Sequence, residues 1–165
     1  MVNTVKAATP RKRTQWLTVH YQQHKNFALR IPARSSMTRW MDAACERPTE
    51  VTVRFVDEDE GRELNATYRH KDYATNVLTF NYTEEPTVTA DIVICVPVLE
   101  RQAAEQGKTV REHMIHLLIH AILHAHGYDH LEEEEAEIME ARETELMLAL
   151  GYPDPYSDKI GIVHD

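Results

Sequence analysis

The sequence predicts a single α+β domain: a small mixed β-sheet with about four to five helices packed on its faces. Three observations lead there. Four short runs rich in β-branched and aromatic residues are interleaved with stretches of helical periodicity. The 165 residues, 42% of them apolar, suit one buried core. No internal repeat, low-complexity linker or break in composition divides the chain. The expected organisation is a loose basic tail over 1–14, one domain over 15–151 and an irregular C-terminal tail over 152–165.

The elements follow in order. "WLTVHY" (16–21) alternates as a strand does. "SSMTRWMDAACE" (35–46) opens with capping serines and sets Met37, Trp40, Met41 and Ala44 on one helical face. "VTVRFV" (51–56) is a strand. "DEDEGRELNATYR" (57–69) is a helix whose acidic start suits the positive end of its dipole. "NVLTFNY" (76–82) and "ADIVICV" (90–96) are strands, the second apolar enough for a sheet interior. "PVLERQAAEQG" (97–107) is a helix with proline in its first turn and a glycine stop. In "TVRE" (109–112), Thr109 and Glu112 form a capping box that launches a long helix ending at Gly127. A last helix spans about 132–150, its acids solvated and Ile138, Ala141, Leu146 and Leu150 turned inward.

Composition excludes several classes. No run of 18 apolar residues exists to span a membrane, and the N-terminus has no apolar core of a secretory signal. Cys45 and Cys95 stand fifty positions apart and outside any CxxC pair, which reads as two free thiols in a reducing cytoplasm. A net charge of −9 argues against nonspecific coating of nucleic acid. Base still gathers at Arg11, Lys12 and Arg13, at Arg30, Arg34 and Arg39, and at Arg69 and Lys71, enough for a local basic groove.

"HAILHAHGYDH" (120–130) concentrates the chemistry. At about 100° per residue, His120 and His124 lie roughly 40° apart on one helix face and about 6 Å apart along the axis. Gly127 ends the helix, and a turn through Tyr128 and Asp129 can return His130 as a third ligand. H-x-x-x-H-x-x-G-x-x-H is the spacing of metzincin zinc sites. Three neutral nitrogens with an open fourth position describe a catalytic zinc centre, one Zn2+ per chain, where bound water ionises near about pH 7. Nickel and copper also suit such nitrogens. Metalloproteases carry glutamate after the first histidine; here Ala121 stands there, so the usual base of peptide hydrolysis is missing.

The other histidines divide by geometry. His116 extends the ligand face one turn earlier, as an outer partner of the site or an ordinary packed residue. It is also the nearest candidate for closing the site with a fourth donor. His113 is expected to be partly solvated. His126 points about 200° from His124 and is excluded as a co-ligand. Asp129 either orients a ligand histidine or shapes the turn.

These residues resemble the YbeY-type endoribonucleases, whose signature reads H-G-x-L-H-L-x-G-Y-D-H. His120, Leu123, His124, Gly127, Tyr128, Asp129 and His130 are in register, with Ala121 and Ala125 departing. "LNATYRHKDYATNVLTF" (64–80) is similar to the family's L-N-x-x-Y-R-x-K-D-x-P-T-N-V-L-S-F, with Ala74 for proline and Thr79 for serine. "ADIVIC" (90–95) resembles a third block, Ala90 replacing glycine. The resemblance implies a metal-dependent nuclease acting on single-stranded RNA, in maturation of the 3′ end of small-subunit rRNA and in ribosome quality control. It implies ribosomal partners, no membrane and a cytoplasmic location.

The resemblance also implies that Arg69 is required. A guanidinium that forks onto two phosphate oxygens and stabilises charge growing in the transition state suits that role. Lys71 is a candidate RNA contact. Asp72, Thr75 and Asn76 read as loop-shaping residues that bond local amides. The nucleophile is either metal-activated water or the RNA's own 2′-hydroxyl. Two other functions compete: a metal-dependent hydrolase of a peptide or small amide, and a noncatalytic ribosome-assembly factor with a closed structural zinc site.

Overall fold

Strands β1 (Leu17–Gln23), β2 (Thr49–Val56), β3 (Val77–Thr83) and β4 (Val88–Cys95) form one mixed sheet in the order β1-β2-β4-β3. The structure, a computed structural model, describes residues 15–23, 27 and 30–157. The basic tail expected over 1–14 and the end of the C-terminal tail, 158–165, lie outside the described residues. Strands β1, β2 and β4 are parallel, and β3 runs antiparallel to β4 along one edge. Parallel neighbours need crossovers, supplied by α1 (Arg34–Ala44) between β1 and β2 and by α2 (Glu58–Arg69) with β3 between β2 and β4. Helices α3 (Val96–Glu105), α4 (Val110–Ala125) and α5 (Glu133–Ala149) complete the fold.

The period-2 alternation of the strands sorts the core. Val51, Val53 and Phe55 of β2 and Ala90, Ile92 and Ile94 of β4 enter a main cluster with Met37, Trp40 and Met41 of α1 and the body of α4. A smaller cluster of Val56, Leu78, Val93, Cys95 and Val98 packs with Leu64 of α2. The apolar run of β4 thus occupies the interior position in the sheet that its composition suits.

Helix α4 is enclosed. Every residue from His113 to Leu123 is buried, so this helix has no solvated stripe. Each buried Leu or Ile here contributes about 1.5–3 kcal/mol. Its capping box is formed as expected: Glu112 N–H donates to Thr109 Oγ1 at 3.0 Å, and Thr109 N–H to Glu112 Oε1 at 3.2 Å. Enclosure also corrects the expectation for His113. It is fully buried, and burial pushes its pKa down to about 3. Beside it His113 Nε2 meets Gln102 Oε1 at 3.2 Å.

Two further expectations are corrected. Helix α1 begins at Arg34 behind Ala33 with no side-chain cap, so Ser35 and Ser36 lie inside the helix, although Met37, Trp40, Met41 and Ala44 are buried as the periodicity requires. In α5 the inward face carries Met139, Glu143, Leu146 and Met147. Ile138 and Ala141 are exposed and Leu150 is half-buried. Leu146 is buried and Leu150 packs against the core as expected, so the correction concerns Ile138 and Ala141, whose inward places Met139, Glu143 and Met147 take.

Candidate metal centre and active site

The end of α4 builds the site. His120 and His124 are one turn apart, with ring centroids 6.5 Å from each other. The helix then closes in a Schellman motif: Gly127 N–H donates to His124 O at 3.0 Å and Tyr128 N–H to Leu123 O at 3.1 Å. Gly127 takes φ +102°, which a side chain resists. The reversal brings the His130 ring to 5.6 Å from that of His120 and 5.8 Å from that of His124. Asp129 Oδ1 accepts the His130 N–H at 2.7 Å, and donor atoms of His124, Asp129 and His130 lie within 4.8 Å of one another. Asp129 therefore stands at ligand range of two histidines, nearer than an outer orienting role requires.

Neutral imidazoles are what a cation needs. Burial, then the neighbouring His120 and His130, lowers the pKa of His124 to about 4. His130 is lowered by burial and by His120. His124 Nδ1 is buried with no hydrogen-bond partner among the described residues. His120 Nδ1 lies 2.6 Å from Glu143 Oε2, and a carboxylate accepts only, so Nδ1 is the donor and the ring is fixed by that bond. The donor set therefore fits a borderline divalent ion such as zinc.

Glu143 is the residue that sequence reasoning missed. It is fully buried, and its other oxygen meets His116 Nε2 at 2.7 Å. Tyr156 O–H also donates to it. Burial opposes ionisation of Glu143, yet the hydrogen bonds from His116 and His120 hold its carboxyl below the usual range. His116 is thus turned to Glu143 and Tyr156, away from the place where it would close the metal site as a fourth donor. The signal was present in the spacing: 143 falls four after Met139 and three before Leu146, on the buried stripe.

Arg69 ends α2. The backbone leaves the helix at His70 in the left-handed region, φ 60°, the one such non-glycine residue among those described. Arg69 Nη2 donates to Thr79 O at 2.8 Å, and its guanidinium carbon lies 5.5 Å from the centre of the Phe80 ring. Arg69, Val77, Leu78, Thr79 and the three histidines line one partly open cleft, whose volume of about 20 Å³ suits a single water or ion. Asn81 Nδ2, donating to His124 O at 3.2 Å, ties β3 to the helix end.

The remaining candidates lie elsewhere. Lys71 is half-buried and outside the residues lining that cleft. Asp72 pairs with Arg62 rather than with a local amide, at 2.8 and 3.1 Å. Asn76 Nδ2 reaches across to Gln102 Oε1 at 2.9 Å, whereas the loop itself is held by Asn65 Nδ2 on Tyr73 O at 2.8 Å. His126 faces away, its Nε2 accepting Glu46 N–H at 3.1 Å and its Nδ1 bonding Ile122 O at 2.9 Å. Arg30 is engaged with Glu100 at 2.6 and 3.1 Å, so it adds nothing to a basic groove. Among the described residues no helix is long and apolar enough to cross a membrane.

Fold and site together define a class: a small α+β protein in which His124, Asp129 and His130, with His120 just outside their group, form a cluster at a buried helix end that can hold a metal ion beside an arginine. A family model described as Endoribonuclease YbeY matches residues 11–151, and the chain belongs to that family. Similar relatives include Endoribonuclease YbeY of Albidiferax ferrireducens, 53% identical over 142 residues that cover 85% of this chain and 96% of the relative. That of Paraburkholderia phytofirmans is 58% identical over 125 residues, 74% and 82% of the two chains. The solution structure of TM1509 from Thermotoga maritima is similar at a TM-score of 0.54 and 27% identity, covering 81% of this chain and 91% of that one.

Proposed function

We propose that the chain is a zinc-dependent, single-strand-specific endoribonuclease that matures the 3′ end of small-subunit rRNA and serves ribosome quality control. The observation that carries this reading is one cleft lined by Arg69, His120, His124 and His130, in a chain of the YbeY endoribonuclease family. His120, His124 and His130 are taken as the ligands of one Zn2+. The donor atoms of His124 and His130 already lie within 4.8 Å of each other and of Asp129, while His120 stands outside that group with its ring 5.6 Å from that of His130, and His116 supports from behind Glu143. When bound, the ion supplies Lewis acidity and acidifies coordinated water.

The chain's own residues supply the rest. Arg69, held by Thr79 O and the Phe80 face, presents its remaining N–H groups to a phosphate and stabilises the charge that builds on its oxygens. Glu143 accepts from His120 Nδ1 and so orients the ring, leaving Nε2 as the nitrogen that would meet a cation. Lys71, two residues after Arg69 and outside the cleft lining, is the further candidate contact to the RNA backbone. The ribosome and its proteins are the expected partners, in the cytoplasm, with 15–151 acting as the catalytic domain between the two tails.

Metal analysis of tagless protein, paired with cleavage of unstructured and duplex RNA, tests this reading. About one zinc per chain and preferential nicking of the unstructured strand are expected. Cleavage that survives His120→Ala and His124→Ala would remove the site from the reaction. A closed four-ligand zinc with inert RNA would favour the assembly-factor alternative.

A further inference from the structure

A second concavity lies on the sheet face opposite α4. It has a volume of about 410 Å³, within the range of pockets that hold a small organic ligand. Tyr68 of α2 and Tyr82 of the edge strand β3 form walls, 61% and 63% exposed, with Phe80 between them. Large aromatic rings left this open on a folded surface need a reason, and two of them facing one groove suit a flat, uncharged partner.

The groove's charged groups are already engaged within the chain. Arg54 is held by Glu60 at 2.6 Å and by Gln22 at 3.2 Å. Asp91 accepts the Tyr82 O–H at 2.7 Å. What remains for a ligand is aromatic surface above a polar floor, a recognition chemistry for nucleobases more than for phosphates.

The groove meets the metal cleft at one contact, across the β3 edge. Phe80 packs edge-on against Tyr68 at 5.4 Å between centroids, and its ring carries the Arg69 guanidinium at 5.5 Å. Arg69 lines the cleft and Phe80 lines the groove, so a strand that places a phosphate at Arg69 passes the β3 edge with its neighbouring bases at the tyrosines.

We propose that the Tyr68–Phe80–Tyr82 groove is a base-binding subsite, which stacks the unpaired bases flanking the phosphate held at Arg69. The subsite rests on the endoribonuclease reading. It gives that reading a physical source of strand selectivity: bases in a duplex are stacked on each other and cannot enter the groove.

The test is binding of a fluorescent unstructured RNA oligomer to the full chain carrying His124→Ala, which prevents turnover. Tyr68→Ala and Tyr82→Ala should each weaken binding about tenfold, whereas Tyr68→Phe and Tyr82→Phe should stay within about twofold. A second arm leaves the tyrosines untouched: an oligomer with abasic positions across the bound stretch should lose affinity to the same extent. Alanine variants or abasic RNA that bind as tightly as the unaltered pair would overturn the subsite. Should the alanine variants fail to fold, the abasic arm decides alone. Cleavage by the unaltered chain is measured in parallel. Cleavage with silent tyrosines sinks the groove and leaves the nuclease standing. Tyrosine-dependent binding without cleavage does the reverse, and no binding of unstructured RNA at all sinks both.

Discussion

Glu143, on α5, accepts the Nδ1 proton of His120, on α4, across 2.6 Å in a region closed to solvent. The carboxylate serves His116 and Tyr156 at the same time, so three donors converge on one acceptor. Glu143→Gln keeps the shape but offers a single acceptor oxygen and turns an amide N–H toward one imidazole. Metal affinity, measured by competition with a chelator, should fall about 10–100-fold while circular dichroism reports a native fold. Unchanged affinity would remove the role assigned to this residue.

Arg69→Ala should lower kcat on unstructured RNA by roughly 10²–10³, with zinc content unchanged. Arg69→Lys should recover little of it. The guanidinium binds Thr79 O while stacking on Phe80, and an ammonium group cannot keep both contacts and still fork onto a phosphate. Steady-state kinetics on both variants would show this, and full activity in the lysine variant would contradict it.

Gly127→Ala should cost about 1–2 kcal/mol of stability in urea, because a side chain at φ +102° is strained. A Cβ there would also stand 3.0 Å from Glu84 Oε1, the far end of a side chain that can move aside. Since the Schellman turn sets where His130 returns, zinc affinity should fall together with the urea midpoint. A variant as stable as the parent would show that the turn has another way to close.

Acid should weaken the fold through His113. Its pKa drops from 6.5 to about 3 on burial, so between those values the unfolded chain binds a proton that the folded chain refuses. Stability should therefore be fully present above about pH 6.5 and decline as pH falls toward 3, by up to about 5 kcal/mol at 1.36 kcal/mol per unit. His113→Gln keeps a donor toward Gln102 and should flatten that acid limb in urea titrations at several pH values. A limb as steep as the parent's would point to other groups.

Legibility differed between elements for physical reasons. The order of strands and helices could be read because β2, β4 and α1 obey their periods cleanly: Met37, Trp40, Met41 and Ala44 are all buried. The proximity of His120 to His124 follows from helix geometry alone, and the glycine marks the turn that returns His130. Helix α5 misled because its acids look like a solvated face, while one of them, Glu143, sits on the buried stripe with partners from α4 and from Tyr156. Those partners lie 23, 27 and 13 positions away, beyond any local pattern. His113 misled likewise: a polar residue near a helix start looks wettable until neighbours enclose the helix on every side. The role proposed for Arg69 rests on the family motif, since one arginine at a helix end has no periodic mark.

The enclosure of α4 ties chemistry to folding. Amide protons from Met114 to Leu123 reach deuterated solvent only when neighbouring layers part, so their exchange should report the opening of the whole molecule. The spacing of His120 and His124 is thus carried by the part of the chain that is last to open, and survives as long as the layers around α4 stay together.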